Sequence, residues 1–346
     1  MKFKTFCSFL LICTYSALSA GIPSDTAKFK KHLSFNDVFF GNEDAFQVCY
    51  PKDHKTFFYN IILLSVLTVT FLSLFLYNRS KNAKLHKLNS ALLTQKNKDI
   101  TDSINYAKHI QNTILPDEKT LKNIGEYFVF YKAKDIVSGD FYFIWRDIDH
   151  VIIAVVDCTG HGVPGAFLSL VGNNALSRAV VDENLTNPSE IMDKMNAFVK
   201  NTLKQNSEEA LRDGMEVGIC HINKKMNTVE FAGATRSIIH VSKNEVKTIN
   251  GDKCTVGSFQ PHVTRAPVTH LLSAQNGDMI YLFSDGITDQ FGGPNNKKIK
   301  REIFADLARV YTENAQSQKK HFETKLKNWQ GTNEQTDDVV LVGYRL

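Results

Sequence analysis

The chain has 346 residues, of which 43% are hydrophobic and 22% charged, an ordinary composition for a globular protein with one large domain and additional segments. The formal net charge of +5 is small for this length, and part of it lies beside an apolar segment, so it indicates membrane orientation and gives no reason to expect nucleic-acid binding. The six cysteines are not spaced as in zinc-binding or dithiol redox motifs, which excludes those classes of site.

Residues 1–20 have the pattern of a signal peptide. Lys2 and Lys4 precede an apolar run that ends in small residues suited to cleavage. An uncleaved first membrane helix is the alternative interpretation. After cleavage, residues 21–56 would remain as a short extracytoplasmic segment, which is too small to form a substantial domain.

Residues 57–77 form an uncharged apolar run that is long enough to cross a bilayer as a helix. A buried core helix is the alternative, but a core helix seldom remains apolar on every face. Four Lys or Arg residues follow the run between positions 79 and 87, and only two precede it closely. By the positive-inside rule we expect a single-pass protein of the inner (cytoplasmic) membrane, with its C-terminal part in the cytoplasm.

Residues 78–116 predict a polar linker helix that ends at Pro116. Leu85, Leu88 and Leu92 fit one apolar seam, and a second seam follows after a phase slip. Two hypotheses remain open. Residues 80–115 form a parallel coiled coil that makes the protein a homodimer, or the helix lies against its own catalytic domain.

The pattern becomes globular in residues 117–346, which we interpret as the catalytic domain. Strands are predicted at 127–133, 141–145, 151–156, 217–222, 228–232, 238–241, 246–249, 279–283 and 339–344. Helices are predicted after His161, after an N-cap at Asn187, near 299–312 and near 316–329. The short hairpin connections favour mostly antiparallel sheets, so the fold class is α+β.

Carboxylates stand at the ends of several predicted strands. Asp140 precedes one strand, Asp157 and Asp285 each follow one, and Asp337 and Asp338 stand before the last. Taken alone, Asp157 is also an ordinary turn former. Carboxylates without a nearby Cys or His cluster suit Mg²⁺ or Mn²⁺ better than Zn²⁺. Two such ions, about 3.5–4 Å apart, generate a hydroxide near neutral pH that attacks phosphorus without a protein nucleophile.

These motifs resemble, in their order, the metal motifs of the SpoIIE-like branch of the metal-dependent type-2C (PPM) serine/threonine phosphatases. The four motifs are Ser138-Gly139-Asp140, Asp157 to Gly162, Phe283 to Gly286, and Asp337-Asp338. The resemblance covers roughly residues 104–346. It also includes Tyr106 to Gln111 and Asp289 to Pro294.

The resemblance implies an α-β-β-α sandwich of two mostly antiparallel sheets, with two Mn²⁺ or Mg²⁺ ions at one end. Asp157 would bridge the ions, and Asp140 would serve one of them. The backbone carbonyl of Cys158 would add a ligand, and Asp285 and Asp337 would complete the other ion. Asp338 would orient its neighbours, and His161 would be the general acid for the leaving oxygen. The implied substrate is a phosphorylated protein, with an anti-sigma-factor antagonist as the type of partner.

The sequence departs from the broader phosphatase family at two points. Gly139 stands where that family has a Glu ligand, and no counterpart of the eukaryotic phosphate-binding Arg is recognisable. Arg236 is the candidate for that role. Asp213 and Glu216 would suit an accessory metal, but the interpretation we favour is that they simply begin the strand at Val217.

We therefore expect a membrane-anchored phosphatase that hydrolyses phosphoserine or phosphothreonine by a metal-bound hydroxide in a bacterial signalling pathway. The alternative is a catalytically inactive phosphatase-fold binding module that acts as a membrane-tethered adaptor, and the full set of acidic residues argues against it. A nucleotide cyclase or similar enzyme would need a Gly-rich phosphate-binding loop, which the sequence lacks.

Overall fold

The computed structural model describes residues 54–117, 121, 124–204, 213–243, 245–258 and 267–346. The predicted signal peptide and nearly all of the predicted extracytoplasmic segment lie outside the described residues. The chain divides into two compact units, residues 1–95 and residues 96–346. The described part of the first unit is a stretch of one helix, and the second unit contains the sheets.

Six helices are described: α1 (His54–Ile114), α2 (Gly162–Ser177), α3 (Pro188–Thr202), α4 (Gly286–Asp289), α5 (Lys300–Val310) and α6 (Ala315–Gln330). A π-helical turn, Arg178–Asp182, extends α2. The strands are β1 (Tyr127–Lys132), β2 (Phe141–Arg146), β3 (His150–Cys158), β4 (Met215–Asn223), β5 (Thr228–Ala234), β6 (Ile238–Ser242), β7 (Glu245–Ile249), β8 (His270–Leu272), β9 (Met279–Phe283), β10 (Phe291–Gly292), β11 (Lys297–Lys298) and β12 (Val339–Arg345). Every predicted strand is present within two residues of its predicted ends.

The strands form two five-stranded sheets and one small hairpin. The first sheet has the order β1-β12-β9-β6-β7, the second has the order β2-β3-β4-β5-β8, and β10 pairs with β11. Every pairing between these strands is antiparallel. The predicted α+β class with mostly antiparallel sheets is confirmed.

The domain has four layers, in the order helices, sheet, sheet and helices, and apolar side chains fill the space between them. The facing surfaces of the two sheets share one core, which includes Ile153, Val155 and Leu282. Helices α2 and α3 cover the other face of the second sheet, and α5 and α6 cover the other face of the first. Because alternate residues of a strand point to opposite faces, each central strand contributes to two cores, and removal of this apolar surface from water is the main favourable term in folding.

The start of α3 is fixed by a local cap that the sequence predicts. The Asn187 side chain accepts hydrogen bonds from the backbone N–H groups of Ser189 (2.9 Å) and Glu190 (3.3 Å). Pro188 occupies the first helical position, where its missing N–H costs nothing because that group has no intrahelical partner. The predicted N-cap is confirmed.

Helix α1 contains both the predicted membrane span and most of the predicted linker. It is one continuous helix over His54–Ile114, so no break separates the segments that we predict as 57–77 and 78–116. Among the described residues, α1 alone is long and apolar enough to cross a membrane, by length and composition. Its large apolar side chains between positions 58 and 77 are exposed.

Candidate active site

Strand pairing brings the predicted acidic residues to neighbouring positions. Phe141 lies opposite Val156 in the β2–β3 ladder, so Asp140 and Asp157, the next residues along, are neighbours. Leu341 lies opposite Phe283 in the β9–β12 ladder, so Asp285 follows β9 at the end where β12 begins. Asp337 lies two residues before that end of β12.

Burial and neighbouring charges raise the pKa values of three of these carboxyl groups. Burial and then the charge of Asp157 raise the pKa of Asp140 well above its ordinary value. Burial also raises the pKa of Asp157, and the charge of Asp285 adds to this, although a neighbouring arginine opposes it. Burial raises the pKa of Asp337 as well, with Asp285 among the contributing charges. Carboxylates that repel one another in a partly buried site favour the binding of a cation.

Asp338 holds the backbone beside this acidic cluster. Its two carboxylate oxygens accept hydrogen bonds from the backbone N–H groups of Lys134 and Gly139, both at 2.7 Å, and its side chain is buried. Asp338 therefore fixes the segment that leads into Asp140. A Cβ at position 139 would collide with the carbonyl oxygen of Gly160. This contact explains why position 139 takes a glycine in this chain.

His161 lies in the loop between β3 and α2 and has a carboxylate partner. Its Nδ1 is 2.7 Å from Oδ2 of Asp135, and both side chains are about half exposed. A carboxylate on Nδ1 fixes the orientation of the imidazole and leaves Nε2 for proton exchange. Asp135 was not predicted as a site residue, because nothing in its spacing from His161 indicates the contact.

Arg236 lies between three carboxylates. One guanidinium nitrogen, Nη2, is 2.7 Å from Oδ2 of Asp157 and 3.2 Å from Oδ2 of Asp285, and it also contacts the carboxylate of Glu216. Burial works to lower the pKa of Arg236, but the three carboxylates raise it above the ordinary value. Glu216 stands directly opposite Asp157 in the β3–β4 ladder. Glu216 thus pairs with Arg236, whereas the Asp213 carboxylate lies 3.5 Å from the Thr159 hydroxyl.

The C-terminal end of α1 contacts the same segment. The Gln111 side-chain amide donates to the carbonyl of Ser138 (2.6 Å) and to the hydroxyl of Ser169 on α2 (2.9 Å). Its carbonyl oxygen accepts from the Ser138 backbone N–H (3.1 Å), and the side chain is buried. Gln111 therefore connects α1 to the residues immediately before Asp140.

The donor set fits a divalent cation in its chemistry. Oδ2 of Asp140 is buried and has no hydrogen-bond partner, an arrangement that is costly for a carboxylate unless a cation satisfies it. Oxygen ligands are the ones that Mg²⁺ and Mn²⁺ prefer. In the described ranges, however, no three His, Cys, Asp or Glu side chains converge as a metal-binding group. The cation that lies between Asp157 and Asp285 is the guanidinium of Arg236.

Comparison with known proteins relates the chain to a family. The family model "Stage II sporulation protein E (SpoIIE)" matches residues 147–346, more than half of the chain. Phosphoserine phosphatase RsbU of Bacillus subtilis is 28% identical over 196 residues, which are 55% of this chain and 55% of RsbU. The chain therefore matches only about half the length of this relative.

Two solved structures share the fold. The SiaA-PP2C domain of Pseudomonas aeruginosa has a TM-score of 0.66 and 29% identity, and the match covers 72% of this chain and 98% of that domain. The PP2C phosphatase domain of SpoIIE from Bacillus subtilis, with a fragment of its regulatory domain, has a TM-score of 0.52 and 15% identity, over 64% and 63% of the two chains. From its family match and its fold, the chain belongs to the SpoIIE family of PP2C-type (PPM) phosphatases.

Proposed function

We propose that this protein is a membrane-anchored, metal-dependent phosphatase that hydrolyses phosphoserine or phosphothreonine in a partner protein of a bacterial signalling pathway. The observation that carries the proposal is the placement of acidic residues at neighbouring strand ends, together with the buried Oδ2 of Asp140, which has no hydrogen-bond partner. These acidic residues are Asp140, Asp157, Asp285 and Asp337. The likeness to RsbU, a phosphoserine phosphatase, supports phosphoserine as the substrate residue.

In the proposed mechanism, two Mn²⁺ or Mg²⁺ ions would be held by the Cys158 carbonyl and by the carboxylates of Asp140, Asp157, Asp285 and Asp337. When bound, such ions activate water at neutral pH and offset the charge of the phosphoryl oxygens. His161 donates a proton to the leaving serine or threonine oxygen, and Asp135 keeps the imidazole in the orientation that this transfer needs.

Asp157 provides the test of this proposal. The full-length chain in detergent should hydrolyse p-nitrophenyl phosphate with Mn²⁺, stop when a chelator is added, and lose the activity in Asp157→Asn. Asp149→Asn, just before the opposite end of β3, is the matched control and should retain full activity. Full Mn²⁺-dependent activity in Asp157→Asn would refute the assignment, and Mn²⁺ binding without turnover in the wild type would favour the inactive adaptor.

The membrane anchor and the partners form the second part of the proposal. The length and composition of α1 support a single span at 57–77, with the catalytic domain in the cytoplasm. The exposed seam of Leu85, Leu88 and Leu92 supports a homodimer through residues 80–115, which a mass measurement on the detergent-solubilised chain would test. The proposal that the substrate is an anti-sigma-factor antagonist rests on the family resemblance.

A further inference from the structure

Arg236 occupies a position in the acidic site that the proposed metal chemistry leaves unexplained. Its side chain is 11% exposed, and a single nitrogen, Nη2, contacts the three carboxylates of Asp157, Glu216 and Asp285. Nε of the same guanidinium is buried and has no hydrogen-bond partner. An arginine with three charge-assisted contacts on one nitrogen and an unsatisfied donor on another is held by charge more than by a complete set of hydrogen bonds.

The contacts of Arg236 use two groups that the proposed function assigns to the metal ions. Asp157 and Asp285 are both predicted metal ligands, and Oδ2 of each faces the guanidinium. A divalent ion that took these oxygens would stand within about 4 Å of the guanidinium charge, where two cations repel each other strongly in a partly buried site. An ion that bound these same oxygen atoms would therefore compete with the guanidinium for Asp157 and Asp285.

Glu216 would still bind the guanidinium if a metal ion displaced it from Asp157 and Asp285. It is not a predicted metal ligand, and it lies opposite Asp157 on the neighbouring strand, so it contacts Arg236 from the side of β4. Release of Asp157 and Asp285 would leave the Arg236–Glu216 pair intact. The cost of moving the arginine is thereby limited, because its charge keeps one partner.

We propose that Arg236 is an internal cation that holds the acidic site when no metal is bound and competes with the divalent ion for Asp157 and Asp285, thereby setting the affinity of the site for metal. This inference rests on the proposed function. It adds a residue outside the ligand set that determines how much metal the protein requires.

The competition is tested by Mn²⁺ binding to the metal-free full-length chain in detergent, measured by titration calorimetry without any substrate. Arg236→Gln should bind Mn²⁺ about tenfold more tightly or better, since a direct cationic competitor is lost. Arg236→Lys keeps a positive charge at this position, so its affinity should stay closer to that of the wild type. The metal-free form of Arg236→Gln should also melt at a lower temperature, and added Mn²⁺ should restore it, because the unpaired carboxylates then regain a cation.

Lys298→Gln is the matched control. Lys298 pairs with Asp289 and lies close enough to Asp285 to interact with its charge, but it does not contact the acidic cluster directly. It should change the Mn²⁺ affinity by less than about threefold, as an exposed charge is screened. Equal affinity in Arg236→Gln and the wild type, weaker binding in Arg236→Gln, or the same tightening in Lys298→Gln would each refute the competition. A wild-type chain that binds no Mn²⁺ would instead refute the metal-dependent function itself, and the competition with it.

Discussion

Asp135 and His161 form a hydrogen-bonded pair beside the acidic cluster, and their proposed role depends on the leaving group. Protonation of the leaving oxygen matters for a serine alkoxide, which is a poor leaving group, and little for p-nitrophenolate, which leaves as a stable anion. The two substrates therefore separate an acid catalyst from a residue that merely supports the fold.

We predict that His161→Ala lowers kcat for a phosphoserine peptide by about 100-fold but lowers kcat for p-nitrophenyl phosphate by less than about tenfold. Asp135→Asn should show the same preference with a smaller loss, because the imidazole is then held less firmly. His150→Ala, at the opposite end of β3, serves as a control. Equal losses on both substrates would contradict the general-acid role.

Contacts between residues that lie far apart along the chain leave no local pattern in the sequence, so they could not be predicted. The acidic residues were predictable because each one stands at the end of a strand with a local pattern. Their supporting contacts were not predictable, since Asp338 lies 204 residues from Lys134 and Arg236 lies 49 residues from Asp285. Glu216 illustrates the same limit, because only the pairing of β3 with β4 reveals that it faces Asp157.

Helices and strands were predictable where they are long enough for their apolar residues to show a regular spacing. Strands β8, β10 and β11 were missed because they have only three, two and two residues, too few to show alternation. The predicted membrane helix and the predicted linker helix also form one continuous helix, with no break between them. Residues 57–115 contain no Gly or Pro, so nothing in the sequence stops the helix at Tyr77.

The C-terminal end of α1 is attached to the catalytic domain through one buried side chain. Gln111 makes three hydrogen bonds that connect this helix to Ser138 and Ser169. Gln111→Ala should lower Mn²⁺-dependent turnover by about tenfold, because two buried partners lose hydrogen bonds and the segment before Asp140 loosens. The exposed neighbour Asn112 supplies the control variant Asn112→Ala. Activity in Gln111→Ala equal to that of the control would show that α1 does not position the site.

Asp306 joins α5 to α6 and gives a prediction about stability. Its carboxylate lies 3.0 Å from Arg309, 2.8 Å from His321 and 3.3 Å from Lys325. Burial works to raise the pKa of Asp306, but the hydrogen bonds from His321 and Lys325 hold it below its ordinary value. A carboxyl group with a depressed folded-state pKa stabilises the fold above its unfolded pKa of about 3.9 and loses that contribution as the pH falls through the folded pKa.

Asp306→Asn should therefore lower the free energy of unfolding by about 2 kcal/mol at pH 7. The difference from the wild type should shrink as the pH falls below about 4. Denaturant unfolding at several pH values measures both effects. Glu323→Gln, on the same helix pair but in an exposed contact with Lys319, should change stability little at any pH. A constant difference between Asp306→Asn and the wild type across the pH range would rule out the charge as its origin.

At the scale of the whole molecule, the proposed orientation puts Cys49 on one side of the membrane and the catalytic domain on the other. Cys158, Cys220 and Cys254 are buried in the fold, so they should react slowly in the native protein. Cys7 and Cys13 lie in the predicted signal peptide and would leave with it. The reactivity of Cys49 toward a thiol reagent therefore shows on which side of the membrane residues 21–56 lie.

A membrane-impermeant maleimide should label intact spheroplasts that express the full chain, and Cys49→Ala should abolish the label. The protein should also remain in the membrane pellet after alkaline carbonate washing, because an apolar helix of this length is not released by charge or pH. Labelling of Cys49 only after lysis would place residues 21–56 in the cytoplasm. The positive-inside argument would then be wrong for this chain, and the catalytic domain would have to act outside the cell or on the periplasmic face.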